Sequence, residues 1–320
     1  MNILSTFDGI SCGQIALRNL GFRRYQYFSS EIDKNAIKVT QHRFPKTIQL
    51  GDIQNVHSKD LPKIDLLLGG SPCQGFSSAG KGLNFSDPRS KLFFEFLRLK
   101  KTLNAKYFLL ENVKMKKEWE NIITNLMGVE PIRINSADFS AQNRIRLYWT
   151  NIPFNPFIKK DQSVIRDVIP TVLKNKYIIH PRRKVIVLPH KKSRKTVGYI
   201  GTPAQACKIY SIDEKGVTLC ATGGGLGGKT GLYAIPLSLI EIYSKDPKIF
   251  TFYAYKSREC CVIAKPPPDM CEKLQTIPLD YTAGLSDNQR YLLIGNGWTI
   301  KVIEHLLKPL KKEFNRSLMK

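Results

Sequence analysis

At 320 residues, with 42% hydrophobic and 24% charged side chains, the chain has the composition of a folded globular protein, which excludes wholesale disorder, collagen and coiled-coil classes. Lys plus Arg number 50 against 26 acidic residues, a formal charge of +24, so polyanions are the natural partners and nucleic acid leads among them. The seven cysteines form no CxxC pair, which argues against zinc and disulfide scaffolds and for a reducing cytosol; the lack of a leader or a long apolar run predicts a chain neither secreted nor membrane-spanning.

Through the first half, short apolar runs alternate with helical patterns, which predicts βαβ units on a parallel sheet. The expected strands are 3–6, 25–30, 47–50, 64–68, 107–110 and 146–150, with helices at 14–20 and 34–43. Two further helices follow from the apolar repeats Leu92, Phe93, Phe96, Leu97, Leu103 and Trp119, Ile122, Ile123, Leu126, Met127. Near-continuous apolar strands such as 64–68 suit a sheet covered on both faces, so a doubly wound α/β domain is expected.

After Ile152, Pro153 and Pro156 interrupt the pattern and a domain boundary is expected. Residues 174–195 carry Lys and Arg without any acidic residue, interleaved with Ile178, Ile179, Val185, Ile186 and Val187. That pattern predicts short strands with a basic face; the alternative is a solvated loop whose charge only aids solubility. The glycine cluster 223–231 marks a mobile or close-approach loop and lacks the ending of a Walker loop. In the tail, Ile300, Ile303, Leu306, Leu307 and Leu310 form one helical stripe, expected to rejoin the first domain.

Strand 3–6 runs into Phe7-Asp8-Gly9-Ile10-Ser11-Cys12-Gly13, the place where open parallel sheets bind nucleotide-like ligands. The GxGxxG order is absent, which disfavours NAD. Glu31 ends the second strand, where an acid binds ribose hydroxyls, and Asp52 ends the third, where it can accept from an adenine amino group. Each alone reads more simply as a cap or surface charge. Together the three strand ends point to a nucleoside cofactor without a pyrophosphate, and S-adenosylmethionine fits. The fourth strand leads to Gly69-Gly70-Ser71-Pro72-Cys73-Gln74 and sets a thiol at the sheet's carboxyl edge. A cysteine is usually an inert small hydrophobe, but a strand end followed by QGFSSAGKG is exposed enough to deliver a thiolate. Glu111, after strand 107–110, is either a helix cap or a general acid whose pKa partial burial would raise. Arg144 and Arg146, on alternate positions, are expected on one face, pairing with carboxylates or holding a substrate oxygen.

The ordered strings FDGISCG, SEID, GDI, GGSPCQGFS, DPRSKLFFEF, ENV, QNRIR, LQTIP and IGNGW closely resemble the motifs of bacterial and phage DNA cytosine-5 methyltransferases. The likeness covers almost the whole chain outside the basic middle segment, and PCQ, ENV and QxRxR in that order are specific to the family. It implies an α/β fold: a Rossmann-like S-adenosylmethionine-dependent methyltransferase domain over 1–165, a smaller, mostly β or irregular target-recognition domain over 166–262, and a return segment, 263–320, completing the catalytic domain. Cys73 would attack C6 of cytosine, Glu111 would contact N3 and the amino group, and Arg146 would hold O2. Gln142 and Arg144 would order the catalytic loop and the substrate backbone. The cofactor residues carried over are Phe7, Gly9, Ile10, Glu31, Ile32, Asp52, Ile53, Pro72, Leu92 and Asn296; no metal is implied.

A thiol and a methyl donor cannot reach both faces of a stacked base, so the cytosine must leave the duplex. The loop 74–89, with glycine hinges, is expected to close over the DNA; Gln74, Ser77, Arg89, Arg182, Arg183 and Lys184 are the expected DNA contacts. The implied partners are double-stranded DNA and a cognate restriction endonuclease, or phage DNA alone; the implied state is a monomer without a membrane, in the cytoplasm of a bacterial or phage-infected cell. Ala264 to Met270 depart from the family's usual Arg-Lys-Leu-Thr-Pro type sequence, which is expected to disturb the seating of the recognition domain and so activity or site preference. Two alternatives stand beside this reading. A tRNA-directed member of the family shares the catalytic set, though its Cys-Phe-Thr string is absent; a DNA-binding relative with a dead catalytic fold is disfavoured by intact Cys73, Glu111 and Arg146.

Overall fold

The computed structural model describes residues 1–72, 91–156, 159–189, 195–243, 249–254 and 258–316; Cys73, Gln74, Ser77, Arg89 and the expected closing loop lie outside the described residues. The chain divides by packing into two compact units, one of Met1–Ser136, Ile145–Lys159 and Trp298–Lys320, the other of Ala137–Arg144 and Lys160–Gly297.

The first unit begins with β1 (Asn2–Thr6), α1 (Cys12–Asn19), β2 (Gln26–Ser30), α2 (Lys34–Arg43) and β3 (Ile48–Gln49). It continues through β4 (Leu66–Gly70), α3 (Lys91–Leu103), β5 (Tyr107–Val113), α4 (Lys117–Met127), β6 (Ile132–Asn135) and β7 (Ile145–Thr150). The seven strands form one sheet in the order β3-β2-β1-β4-β5-β7-β6. The first five run parallel, as the βαβ pattern predicts. The wholly parallel sheet is corrected at its far edge, where β7 pairs antiparallel with both β5 and β6. The cause is the connection 136–144: a parallel crossover needs about a dozen residues or more, usually with a helix, and this stretch is too short to supply one.

Leu4, Leu67, Leu110 and Trp149 from the strands, with Phe93, Phe96 and Leu99 from α3 and Ile123 from α4, pack into one buried cluster. The helices end where their sequences require. Asp33 caps α2 by accepting from the N–H groups of Asn35 and Ala36, and Gly128, at φ 73°, closes α4 in the left-handed conformation that glycine adopts without strain.

The second unit contains β8 (Val172–Lys174), β9 (Val185–Val187), β10 (Thr196–Ile200), β11 (Lys208–Ser211) and β12 (Leu232–Pro236). After these come β13 (Glu241–Tyr243), β14 (Phe252–Ala254), β15 (Glu259–Ala264), α5 (Pro268–Leu274) and α6 (Asp287–Asn296). Its main sheet has the order β14-β15-β12-β11-β10-β9, around a core that includes Val197, Ile209, Leu232, Cys261 and Ile263. The glycine cluster is a close-approach loop: a Cβ on Gly228 would lie 2.1 Å from the Gly224 carbonyl oxygen, so only glycine fits there.

The expected domain limits at 165 and 263 do not coincide with these units. β15 pairs with β12 across residue 263. Beyond it, the fully buried Glu272 of α5 accepts from Arg290 of α6 at 3.1 Å and from Thr282 at 2.8 and 2.5 Å. Those bonds hold the stretch up to Gly297 in the second unit. The departing Ala264 to Met270 stretch is likewise fixed there, with Pro268 at the start of α5 and the Tyr291 hydroxyl donating to the Pro266 carbonyl.

From Trp298 the chain belongs to the first unit, in α7 (Ile300–Leu307) and α8 (Leu310–Arg316). The single helical stripe of the sequence is two helices because Pro309 removes an N–H and breaks the run. Among the described residues no helix is long and apolar enough to cross a membrane, and no group of three or more His, Cys, Asp or Glu is arranged to hold a metal ion.

Candidate active site

The loop after β1 is built on three left-handed residues, Phe7 (φ 54°), Gly9 (φ 56°) and Ser11 (φ 61°). For phenylalanine and serine this conformation carries strain that the surroundings must hold. Asp8 holds it. Its buried carboxylate accepts from Ser11 Oγ at 2.7 Å, Tyr27 Oη at 2.8 Å and Ser29 Oγ at 2.9 Å, and Gln14 Nε2 donates to Ser11 Oγ at 2.9 Å. Burial pushes the Asp8 pKa above its usual value, against the pull of the hydroxyl donors. A carboxyl whose pKa is higher folded than unfolded binds more protons in the native state, so its contribution to stability falls as pH rises from about 3.9 toward the folded pKa. Asp8→Asn is therefore expected to make the stability curve fall less, or rise more, with pH across that interval; denaturant titrations from pH 4 upward check the slope, and an unchanged slope rejects it.

Glu31 follows β2 and is held in three ways. Gly9 N donates to Oε2 at 2.7 Å, and Ile32 N and Asp33 N both donate to Oε1 at 2.8 Å. Ile32 beside it is 71% exposed, an apolar side chain left open at the sheet's carboxyl edge. Asp52 accepts from Gln54 N at 3.0 Å, the capping role its sequence also allowed. Phe7 and Leu92 pack as partly buried residues against the core cluster, and Pro72 is half-buried. Of the expected cofactor residues, Ile10 is 1% and Ile53 3% exposed, so both apolar side chains are buried. Asn296 is exposed and lies in the second unit.

A buried polar cluster forms where β4, β5 and β7 adjoin, around Glu111. Glu111 sits inside β5, opposite Gly70 and Tyr148, so it is a strand residue and not a helix cap. It is 8% exposed, and its Oε1 accepts from Arg146 Nε at 2.9 Å. Arg146 also donates through Nη1 to the Ile145 carbonyl at 2.8 Å, so the guanidinium is fixed from two sides. Trp298 Nε1 donates to Glu111 Oε2 at 3.0 Å. Next in β5, the buried Asn112 donates through Nδ2 to Ser71 Oγ at 3.0 Å and anchors the backbone just before Pro72 and Cys73. Asn112, Trp298 and Asp8 are site-building residues to which the sequence reading gave no role. The signal was present in ENV, IGNGW and FDGI, but polar residues there gain meaning only once their partners are known.

Arg144 and Arg146 do not share a target. Arg144, 3% exposed, donates through Nη1 to the Leu219 carbonyl at 2.9 Å and through Nη2 to those of Gly295 and Gly297, both at 3.0 Å. Fully buried Gln142 accepts from Leu219 N at 2.8 Å and donates to the Leu274 carbonyl and to Gln275 Oε1. Both are scaffold bonds of the second unit, made where the chain leaves regular structure between β6 and β7. Arg182, Arg183 and Lys184 are exposed just before β9. The second unit also carries an open cavity of about 410 Å³ lined by Asn143, Lys195, Tyr210, Lys215 and Thr218. Lys215 is committed internally, donating to the carbonyls of Ser140 and Asp161.

Residues 1–179, more than half of the chain, match the family described as C-5 cytosine-specific DNA methylase. The chain belongs to this family. DNA (cytosine-5-)-methyltransferase is accordingly its activity, on an α/β, Rossmann-like methyltransferase fold. It is 31% identical to the Type II methyltransferase M1.ScrFI of Lactococcus lactis subsp. cremoris, over 92% of this chain and 76% of that one. It is 25% identical to the Type II methyltransferase M.HhaI of Haemophilus parahaemolyticus, over 98% of this chain and 95% of that one. Among solved structures, the Entamoeba histolytica methyltransferase EhMeth superposes with a TM-score of 0.72 over 98% of both chains at 17% identity, a likeness of fold.

Proposed function

We propose that this chain methylates cytosine in double-stranded DNA, taking the methyl group from S-adenosylmethionine and using Cys73 as nucleophile toward a base turned out of the duplex. The single observation that carries the reading is the clamp of Glu111 in β5 by Arg146 of β7, with Glu111 paired to Gly70, the last residue of β4, after which the sequence continues Ser71-Pro72-Cys73.

The residues present fit the cofactor by their chemistry. Glu31 offers a carboxylate to a ribose diol, and Ile32 offers an uncovered apolar face to a purine. Phe7, Gly9, Ile10, Asp52, Ile53, Leu92, Pro72 and Asn296 complete the proposed set. The group supplies an electrophilic methyl on a sulfonium.

The remaining chemistry is the chain's own. The Cys73 thiolate adds to C6 of the cytosine, and its electron pair moves through the ring toward N3, where the Glu111 carboxyl holds or delivers the proton. Arg146 holds O2 through its remaining N–H groups and neutralises charge developing on the ring. C5 thereby becomes nucleophilic and accepts the methyl group; it then gives its proton to a water molecule, N3 returns its proton to Glu111, and the Cys73 thiolate departs as aromaticity returns. Gln142 and Arg144 act at one remove, by ordering the backbone that leads into β7. Arg182, Arg183 and Lys184 are proposed to hold phosphates, with Gln74, Ser77 and Arg89 on the DNA at the closing loop; extrusion costs a few kcal/mol, which those contacts must repay. The proposed setting is restriction-modification or protection of phage DNA in a bacterial cytoplasm, with the chain acting as a monomer, with or without a cognate endonuclease.

Expression in a host that lacks cytosine methylation, followed by bisulfite sequencing, tests the reading. Protected cytosines within one recurrent motif are expected. Conversion of all cytosines in DNA, with methylation found only in RNA, would transfer the activity to the alternative substrate.

A further inference from the structure

We infer that Trp298 is a positioning residue for Glu111, fixing the carboxyl by its indole N–H, and that Gly70 is glycine to leave room for that pair. The inference rests on the proposed role of Glu111 at cytosine N3 and adds to it.

The last torsion of a glutamate is soft and broad, so one hydrogen bond leaves the carboxyl plane free to pivot. Glu111 has two anchors from different parts of the first unit: Arg146 Nε of β7 on Oε1 at 2.9 Å and Trp298 Nε1 on Oε2 at 3.0 Å. Both donors are rigid planar groups. The indole is 8% exposed, and the next residue, Thr299, is 1% exposed with its Oγ1 bonded to Ser136 Oγ at 2.8 Å, so the tryptophan's backbone is itself pinned. β4 supplies the space. A Cβ at Gly70 would stand 2.9 Å from Trp298 Nε1 and 3.2 Å from Glu111 Oε2, inside the pair itself. Three strands and the tail thus converge on one carboxyl, although a buried carboxylate with Arg146 alone would already be paired for stability. The second anchor adds orientation, which is what transfer to a ring nitrogen at hydrogen-bond distance requires.

Trp298→Phe keeps an aromatic ring and removes the donor. In the full chain, the single-turnover rate at saturating DNA and S-adenosylmethionine is expected to fall about tenfold or more, the worth of one hydrogen bond to a charged group. KM for both substrates should stay within about twofold and Tm close to wild type, while Trp298→His, which retains a ring N–H, should recover part of the rate. A Phe variant with unchanged rate overturns the inference. So does a loss that Phe and His share equally and that tracks a lowered Tm, because that is packing alone.

A readout independent of activity judges the contact. Among the three indole N–H resonances of ¹⁵N-labelled protein, that of Trp298, assigned by its absence in the Phe variant, should move upfield in Glu111→Ala, while that of Trp149, bonded to Thr124 Oγ1, stays put. An unmoved Trp298 signal overturns the inference. Wild-type protein that leaves every cytosine unmethylated sinks the proposed function instead, and the resonance still decides the indole contact.

Discussion

Cys73→Ser is expected to abolish methyl transfer, with a loss of at least about a thousandfold, while cofactor affinity stays within a factor of about two. A serine hydroxyl keeps the size of the side chain but is essentially un-ionised near neutral pH, whereas a thiol supplies a few per cent of thiolate at pH 7 and more beside a cationic group. The direct assay is a duplex containing 5-fluorocytosine at the methylated position. Fluorine at C5 cannot leave as a cation, so the cysteine cannot be expelled after methylation and the sulfur–C6 bond persists. Wild-type protein should give a denaturant-resistant protein–DNA band that requires S-adenosylmethionine; Cys73→Ser should give none. A band of equal strength with the serine variant would place the nucleophile elsewhere.

The second large effect is on stability. Arg144 satisfies three buried carbonyls, those of Leu219, Gly295 and Gly297, two of them at the carboxyl end of α6 where helix carbonyls lack internal partners. Arg144→Ala removes the donor from the Leu219 and Gly295 carbonyls in a space closed to water, while the Gly297 carbonyl keeps its bond from Gln275 Nε2 at 3.0 Å, at a cost of about 3 to 5 kcal/mol. At about 2 to 4 °C per kcal/mol for chains of this size, the thermal transition should fall by roughly 6 to 20 °C. Arg144→Lys should recover little, because one ammonium on a flexible stem cannot span carbonyls that a planar fork bridges. Calorimetry on both variants decides; a shift under about 2 °C in Arg144→Ala would mean that the carbonyls find other donors.

How the molecule was legible differs from residue to residue. The strand ends bearing Glu31, Asp52 and Glu111 could be read because period and composition mark a strand, and an open parallel sheet gathers the carboxyl ends of its strands at one edge. The basic, β-branched stretch around Val185 was legible for the same kind of local reason, and β9 forms there. By contrast, β6 escaped notice because four residues carry too little periodicity, and β7 reversed direction because of a connection whose length matters only when its partners are known. The division at Gly297 depends on β15 pairing with β12 and on the Glu272–Arg290 bond, both joining segments that are distant or unremarkable in sequence.

The sequence by itself determined the α/β class, the order of the chemical residues and the family, since these rest on local patterning and on short strings whose spacing survives without coordinates. Tertiary structure alone decided what each polar group faces. Arg144 and Arg146, two positions apart, look equivalent in the sequence, yet one caps backbone carbonyls and the other holds the Glu111 carboxylate. The physical reason is that hydrogen bonds and ion pairs act over about 3 Å between groups that the chain can separate by well over a hundred residues, as it does Glu111 and Trp298.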